Sequence, residues 1–230
     1  MTINQTPITD QLEDYLISIG PTDNDHIGFV FSSAFAFDEP YMQVSKLQAL
    51  TLKHYIMAHG IRSVLEVGTF VGFSAFSMAS GMNSRGSKLT SIEIRKDFYD
   101  QALANQLKYR EDLARGDLRD GIIEKIDFVH DDALTHLTEN TNTYSKYDMF
   151  FLDGDKEHYA EYVRWFVEEA KPGAHLLIDN LLFKGAILGE GKYAKGIKAA
   201  IQVIRDAECL TSYIVPVGDC MLVARKLETA

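Results

Sequence analysis

The sequence predicts an α/β fold built on a mostly parallel β-sheet with helices on both faces. From residue 61 onward, the apolar runs "SVLEVG", "KLTSIEI", "KIDFVH", "YDMFFLDG" and "AHLLIDN" alternate with segments of helical periodicity. Strands that are apolar along their whole length are typical of a parallel sheet covered on both faces. The chain closes with "SYIVPV", a Gly218-Asp219 turn and "CMLVARK", a pattern that predicts a hairpin with an antiparallel last strand.

Helices are predicted both between the strands and before them. The segments between the strands include "SAFSMASGM", "FYDQALANQLKYREDLARG", "ALTHLTEN" and "YAEYVRWFVEEAK". Before them, "TDQLEDYLISIG" and "VSKLQALTLKHYIMAHG" also read as helices, the second with Ser45 as its N-cap and Gly60 as its stop. The Phe-rich segment "HIGFVFSSAFAFDEPYM" between these two could be a lid, an oligomer contact or an aromatic wall for a ligand.

No internal repeat or Pro/Ser-rich linker divides the sequence. We therefore expect one domain over residues 1–230, with an N-terminal helical or lid segment over 1–60 and a core over 61–230. The hydrophobic content of 46% is ordinary for a globular protein, and no apolar run is long enough to span a membrane. The polar, acidic beginning "MTINQTPITDQLEDYL" does not resemble a signal peptide, so a cytoplasmic location is expected.

The charge and cysteine content argue against several kinds of site. A net charge of −10 disfavours binding to nucleic acid, which needs concentrated Lys and Arg. A local basic patch could still form from Lys184, Lys192, Lys195 and Lys198, although these are expected to be solvated helix and loop charges. Two cysteines, Cys209 and Cys220, indicate neither a disulfide framework nor a zinc site. No spacing among His54, His59, His130 and His136 indicates a metal site.

Ligands of open parallel sheets bind at the carboxyl ends of the strands. The first strand ends in "LEVGTFVGFS", where Gly68 and Gly72 permit a tight turn and Ser74 opens the next helix. The spacing is not the G-x-G-x-x-G of dinucleotide binders, so a purely structural turn is an equal alternative. The second strand ends in "SIEI", and its Glu93 follows Gly68 by 25 residues, where an acidic residue typically accepts hydrogen bonds from ribose. Together the two strand ends favour an adenosine-type ligand.

The third strand leads into "HDDAL". Asp132 and Ala133 could border an adenine ring. Alternatively, Asp131 or Asp132 simply caps the following helix, and on these residues alone the cap is favoured.

The fourth and fifth strands end on oxygen donors. Asp153 follows "FFL", and Asp179 with Asn180 follows "HLLI". If the strands are neighbours, two carboxylates and an amide converge, which favours Mg²⁺ or Ca²⁺ over zinc. Alone, each Asp would be interpreted as a helix cap. Lys156 lies three residues after Asp153, and a divalent cation beside it would lower its pKa and make it a candidate base.

In this order, the motifs "VLEVGTFVGFSA", "FLDGDKEHY" and "LIDNLLFKG" resemble those of the cation-dependent class I O-methyltransferases that use S-adenosylmethionine. This family includes catechol and caffeoyl-CoA O-methyltransferases, and the chain is most similar to its bacterial members. The resemblance runs from "YMQVS" to "GDCMLVARK". It implies a Rossmann-like class I methyltransferase fold, with a seven-stranded, mostly parallel sheet, an antiparallel last strand and helices on both faces.

The resemblance also implies a role for each matched residue. Asp153, Asp179 and Asn180 would hold Mg²⁺ or another divalent cation such as Ca²⁺ or Mn²⁺. Lys156 would be the base, and Asp153 would also take part in catalysis. The implied cofactor pocket comprises Val44, Glu66, Gly68, Thr69, Gly72, Ser74, Glu93, Asp132, Ala133, Asp153 and Asp155.

Two positions depart from the family pattern. Ala49 follows Gln48 where the family typically has glycine, which concerns local helix packing more than activity. Phe183 and Lys184 replace the Trp-Asn pair of plant relatives at a position that shapes acceptor binding, so the resemblance does not extend to their acyl-CoA phenolic substrate.

The expected activity is methyl transfer to a hydroxyl of a small phenolic acceptor with two adjacent oxygens, by a homodimer. One alternative is a tRNA hydroxyuridine O-methyltransferase of the same fold. A third interpretation is a nucleotide-binding module without catalysis.

Overall fold

The computed structural model describes residues 6–20, 25–82, 86–116, 121 and 125–228. Within these ranges, seven strands form one sheet with the order β3-β2-β1-β4-β5-β7-β6. The strands are β1 (Ser63–Val67), β2 (Lys88–Glu93), β3 (Ile126–His130), β4 (Met149–Leu152), β5 (His175–Ile178), β6 (Leu210–Val215) and β7 (Met221–Lys226).

The first five strands run parallel, and only the last pairs in the opposite direction. β1 pairs with β2 and β4, β2 with β3, and β4 with β5, all in parallel. β7 pairs antiparallel with both β5 and β6. The predicted antiparallel last strand is therefore confirmed.

Helices flank the sheet and precede it. They are α1 (Asp10–Ile19), α2 (Gly28–Ser33), α3 (Lys46–His59), α4 (Phe73–Ser80), α5 (Lys96–Ala114), α6 (Ala133–Glu139), α7 (Thr141–Tyr144), α8 (Tyr159–Glu169) and α9 (Lys192–Asp206). Short 3₁₀ turns lie at Asp25–Ile27, Ala34–Ala36, Pro40–Met42, Lys156–His158 and Phe183–Leu188. No helix of the described residues is both long and apolar enough to cross a membrane.

The ends of α3 agree with the sequence-based prediction. The Ser45 hydroxyl accepts a hydrogen bond from the N–H of Gln48 at 3.2 Å, which caps the helix. Gly60 ends the helix in the left-handed conformation, at φ 63°. This fixes the start of α3 directly beside the cleft described below.

Alternate residues of each central strand enter two separate cores. Val64 and Phe151 face α3, α4 and α5, whereas Leu65 and Phe150 face α8 and α9. The strands are thus buried on both faces, which explains why they are apolar throughout.

The Phe-rich segment contributes to the first core. Ile27, Val30 and Ala34 are fully buried there, while Tyr41 and Met42 line the cleft. Part of the segment is therefore structural, and its end lines the cleft. Cys209 and Cys220 are free thiols, of which Cys220 is buried.

Candidate active site

The carboxyl ends of the parallel strands open into a cleft of about 1010 Å³. The chain proceeds from β1 outward to β3 and then returns to β4 on the other side of β1, so the switch point lies between β1 and β4. Ligands of open α/β sheets bind at such a point.

Most of the residues predicted for the site line this one cleft. They are Val44, Gly68, Thr69, Ser74, Glu93, Asp132, Ala133, Asp153, Asp155, Lys156, Asp179 and Asn180. Glu66 and Gly72 do not line it, and the structure places both behind the wall.

The turn after β1 needs glycine at two positions. Gly68 has a φ of 93°, and a Cβ there would lie 2.6 Å from the carbonyl oxygen of Asp153. Gly72 precedes α4 with a φ of 89°, and a Cβ there would meet the ring of Phe128 at 3.2 Å. The first glycine brings the β1 turn against the β4 end, and the second packs the helix onto the sheet.

Glu93, at the end of β2, ties this turn together. One carboxylate oxygen accepts the N–H groups of Thr69 at 3.1 Å and Phe70 at 2.9 Å. The other accepts the N–H of Arg95 at 2.8 Å. Since a carboxylate has about four acceptor positions, the second oxygen retains capacity for a ligand hydroxyl.

Glu66 supports the wall from beneath. Its carboxyl accepts the hydroxyl of Ser74 at 2.5 Å and also that of Ser91. Complete burial raises the pKa of Glu66 to about 8, although the two hydroxyl groups act in the opposite direction. Glu66 thus holds Ser74 at the cleft surface without facing the cleft itself.

Asp132 and Asp155 both cap short helical turns at the cleft edge. Asp132 accepts the N–H of Thr135 at 2.8 Å, so the predicted helix cap is present. Asp132 also lines the cleft. Asp155 accepts the N–H of Glu157 at 3.0 Å and contacts His158 Nδ1 at 2.6 Å. For these two residues, capping and cleft lining are compatible.

The predicted oxygen donors come together because β4 and β5 are neighbours. Leu152 pairs with Ile178 in the sheet, so Asp153 and Asp179 emerge side by side. Asn180 follows in the left-handed region at φ 58°, which Asn tolerates better than most residues, and its N–H bonds Asp179 at 2.7 Å.

This pair of carboxyl groups is poorly solvated. Burial raises the pKa of Asp179 to about 8 and the charge of Asp153 adds to this, whereas the Asn180 N–H and the Gln48 amide oppose it. Burial also raises the pKa of Asp153, against the opposing charge of Lys156. A bound divalent cation would stabilise both anions, and two carboxylates with one amide oxygen suit a hard cation. Among the described residues, no three or more His, Cys, Asp or Glu side chains are grouped so that they could hold a metal. The predicted cation site therefore needs the amide oxygen of Asn180 as its third protein ligand.

Lys156 lies against the same carboxylates. Its ammonium contacts Asp153 at 3.0 Å and the carbonyl of Gly154 at 3.2 Å. Burial works to lower the pKa of Lys156, but the electrostatic influence of the Tyr159 hydroxyl and of the Asp153 and Asp179 carboxylates outweighs it and holds the pKa above its ordinary value. The lowered pKa that was predicted beside a cation remains a prediction for the loaded site.

The cleft also contains residues that the sequence did not single out as ligand contacts. They include Gln43, Gln48, Ile94, Arg95, Phe98, His158, Tyr162, Tyr193 and Asp219. Arg95 stacks on Phe98, with its guanidinium carbon 3.5 Å from the ring centroid. The one feature of the sequence that could have indicated Arg95 as a cleft residue is its position two residues after Glu93.

Known proteins of similar sequence are O-methyltransferases. A family model described as O-methyltransferase matches residues 32–227. The catechol O-methyltransferase of Mycobacterium tuberculosis is 30% identical over 200 residues, which cover 86% of this chain and 84% of the relative. The caffeoyl-CoA O-methyltransferase of Stellaria longipes is 26% identical over 184 residues, covering 78% and 71%.

Solved structures show the same fold. The O-methyltransferase of Bacillus cereus, in complex with SAH, has a TM-score of 0.81 at 21% identity, covering 94% of this chain and 97% of that one. TomG of Streptomyces achromogenes, in complex with SAM, has a TM-score of 0.80 at 20% identity, covering 95% and 96%. These likenesses confirm the class I methyltransferase fold. With the family match over most of its length, the chain belongs to the O-methyltransferase family.

Proposed function

We propose that the chain transfers a methyl group from S-adenosylmethionine to one hydroxyl of a catechol-like aromatic molecule, and that the reaction depends on a divalent cation. The observation that supports this most is the convergence of Asp153, Asp179 and Asn180 beside Lys156 in the cleft. The names of the two curated relatives, catechol and caffeoyl-CoA O-methyltransferase, agree with an acceptor of this class.

The residues at the β1 and β2 ends fit an adenosyl cofactor. Gly68 brings the β1 turn against the β4 end at the cleft, Glu93 has free acceptor capacity, and Ala133 presents a small side chain where a flat ring could lie. Bound there, S-adenosylmethionine would supply a methyl group on a positively charged sulfur. Glu93 would then hold ribose hydroxyls, while the tied turn of Thr69 and Phe70 would orient the ligand.

Asp153, Asp179 and Asn180 would hold the cation. A bound Mg²⁺ would supply positive charge that favours the ionised form of an acceptor hydroxyl. The three ligands are carried on two adjacent strand ends, so their main-chain positions are fixed by the sheet. Positioning of this kind can be worth roughly 7–11 kcal/mol of the barrier.

Lys156 would accept the hydroxyl proton at Nζ. To do so it must be neutral, and the carboxylates beside it now hold its proton in place. Neutralising the charges of Asp153 and Asp179 would remove much of that attraction, and burial, which lowers the pKa of a lysine, would then favour the neutral amine. The same pair of residues thereby sets both the cation site and the state of the base.

A tRNA acceptor remains the alternative, and it requires a basic groove. Lys192 forms an ion pair with Glu157, and Lys198 forms one with Glu190 at 3.1 Å. Both contacts reduce the positive charge that the predicted lysine patch could offer to RNA. We therefore place the small aromatic acceptor first.

We also propose a cytoplasmic homodimer. Tyr15 and Ile19 on α1 and Tyr213 and Ile214 on the edge strand β6 are exposed apolar side chains, and a second copy could cover them. Free thiols fit a reducing compartment. Light scattering after size-exclusion chromatography would give the mass, for which 25.9 kDa is the monomer value.

Acceptor specificity tests the proposed function. Catechol, phenol and 2-methoxyphenol would be incubated with the protein, Mg²⁺ and labelled S-adenosylmethionine. Catechol alone should yield a mono-methylated product, because only it offers two adjacent hydroxyls. Equal methylation of phenol would contradict the requirement for vicinal oxygens, and calorimetric titration with S-adenosylmethionine would test cofactor binding separately.

A further inference from the structure

The loop after the predicted cation ligands is held in one position over the cleft. The N–H of Lys184 donates to the carboxylate of Asp219 at 2.9 Å, and the N–H of Leu182 donates to the Asp219 carbonyl at 3.2 Å. Lys184 itself adopts a left-handed conformation, with φ 53° and ψ 35°. These bonds tie the loop to the β6–β7 turn and fix where its side chains leave the main chain.

Several lining side chains can carry positive charge, and most of them are already paired. Arg95 pairs with Asp97 at 2.6 Å, Lys156 with Asp153 at 3.0 Å, and His158 contacts Asp155 at 2.6 Å.

The Lys184 ammonium differs from these. It lies 4.3 Å from the ring centroid of Tyr41, and within the part of the chain that the structure describes it has no ion pair with a carboxylate. Asp219, the acid beside it, uses its carboxylate for the main-chain N–H of the loop.

Two further aromatic side chains line the same cleft as this cation. Phe183 packs edge-on against Tyr193, with centroids 5.3 Å apart, and both line the cleft together with Tyr41. Lys184 is exposed and also lines the cleft, so it lies at the solvent side. A ligand that projects from Lys156 toward this side would place an aromatic ring among apolar walls and its outer substituent near an unpaired ammonium.

We propose that Lys184 forms an anion subsite, and that the acceptor is a vicinal dihydroxy aromatic molecule with an anionic substituent such as a carboxylate. This rests on the proposed function for the dihydroxy part. The ammonium would pair with the anion while Tyr41 continues to stabilise the cation through its ring face.

The test compares 3,4-dihydroxybenzoate with its neutral methyl ester in the wild type and in Lys184→Met. We expect the substitution to lower kcat/KM for the acid about fivefold or more, and for the ester less than about twofold. The ester also changes the acidity of the ring hydroxyls, but this intrinsic effect is the same in both proteins and cancels in the ratio.

Three controls separate the possible causes. Lys195→Met removes an exposed lysine that does not line the cleft, and it should leave the ratio unchanged. Lys184→Arg should retain the preference for the acid. The Kd of S-adenosylmethionine should be the same in Lys184→Met and wild type, since a loss there alone would assign Lys184 to the carboxylate of the cofactor and overturn the proposal.

Binding distinguishes the failure of this subsite from a failure of the proposed function. If the wild type methylates neither compound, the vicinal-diol function fails, and calorimetric titration of acid and ester into the protein loaded with S-adenosylmethionine still tests the subsite. The subsite is supported if the wild type binds the acid more tightly than the ester and Lys184→Met does not. Equal affinity for acid and ester in the wild type, or equal losses of both in the variant, would contradict it.

Discussion

Asp153 and Asp179 directly follow Leu152 and Ile178, which pair in register on adjacent parallel strands. The sheet therefore brings two carboxyl groups together in a site where Asp179 is 2% exposed. Burial raises the pKa of Asp179, and the charge of Asp153 raises it further. The charge of Lys156 offsets only part of this cost, so without a bound divalent cation the arrangement is electrostatically unfavourable, and such sites are typical of function rather than stability.

Asp179→Asn should weaken cation binding and stabilise the cation-free protein. An amide avoids the cost of a buried carboxylate beside Asp153, so the melting temperature measured in chelator should rise. Mg²⁺ affinity by calorimetry should fall at least about tenfold, and catechol turnover should fall with it. Asp206→Asn, at the exposed C-terminal end of α9, is the matched control. A variant with unchanged Mg²⁺ affinity would return Asp179 to a structural role.

Lys156→Met should depress turnover far more than cofactor binding. Loss of a general base typically lowers the rate by about 10²–10⁴-fold, while the S-adenosylmethionine pocket at the β1 and β2 ends is left intact. Turnover at saturating substrates and calorimetric Kd for the cofactor would be measured side by side, with Lys195→Met as control. Equal loss of turnover and affinity would show that Lys156 only shapes the pocket.

Gly196→Ala should displace the turn that bears Lys156. A Cβ at Gly196 would overlap the carbonyl oxygen of Lys156 and lie 2.8 Å from that of Glu157. Overpacking of this kind costs about 1–3 kcal/mol, and turnover should fall more than tenfold because the base moves. Gly191→Ala at the start of the same helix is the control, since a Cβ there meets nothing within 4 Å. Activity like that of the control variant would mean that the turn adapts freely.

The buried carboxyl of Glu66 predicts a pH dependence of stability. Its pKa is raised by burial from 4.5 to about 8, so the folded state binds more protons than the unfolded state between these values. The contribution of Glu66 to the free energy of unfolding is fully present at acid pH, below 4.5, and is lost as the pH rises through about 8. Urea unfolding at acid and at mildly alkaline pH should show the loss, and Glu66→Gln should reduce it. If the free energy of unfolding falls with pH as steeply in Glu66→Gln as in the wild type, the pH dependence belongs to other groups.

The central sheet could be predicted closely from the sequence because its strands are apolar throughout and alternate with helical segments. The convergence of Asp153 and Asp179 was predicted on the condition that their strands are neighbours, and the pairing of β4 with β5 meets that condition. Helix α9 was not identified, although "AAIQVI" within it packs against the second core, because lysines and glycines at its beginning obscure the apolar periodicity.

The long-range contacts of Glu66, Gly72 and Gln48 could not be predicted. Glu66 and Gly72 do not line the cleft. Instead, Glu66 bonds Ser91 on β2, and Gly72 packs against Phe128 on β3. The approach of Gln48 to Asp179 also depends on how α3 packs near the β6–β7 turn. Such contacts depend on tertiary packing, for which one sequence contains no local signal.

The most direct test is methyl transfer from labelled S-adenosylmethionine to catechol, first with Mg²⁺, then with excess chelator, and then with Mg²⁺ restored. We predict that activity disappears with chelator and returns with the cation, because Asp153, Asp179 and Asn180 hold it beside Lys156. Full activity in chelator would contradict a cation-dependent mechanism and leave the two carboxyl groups without a catalytic role.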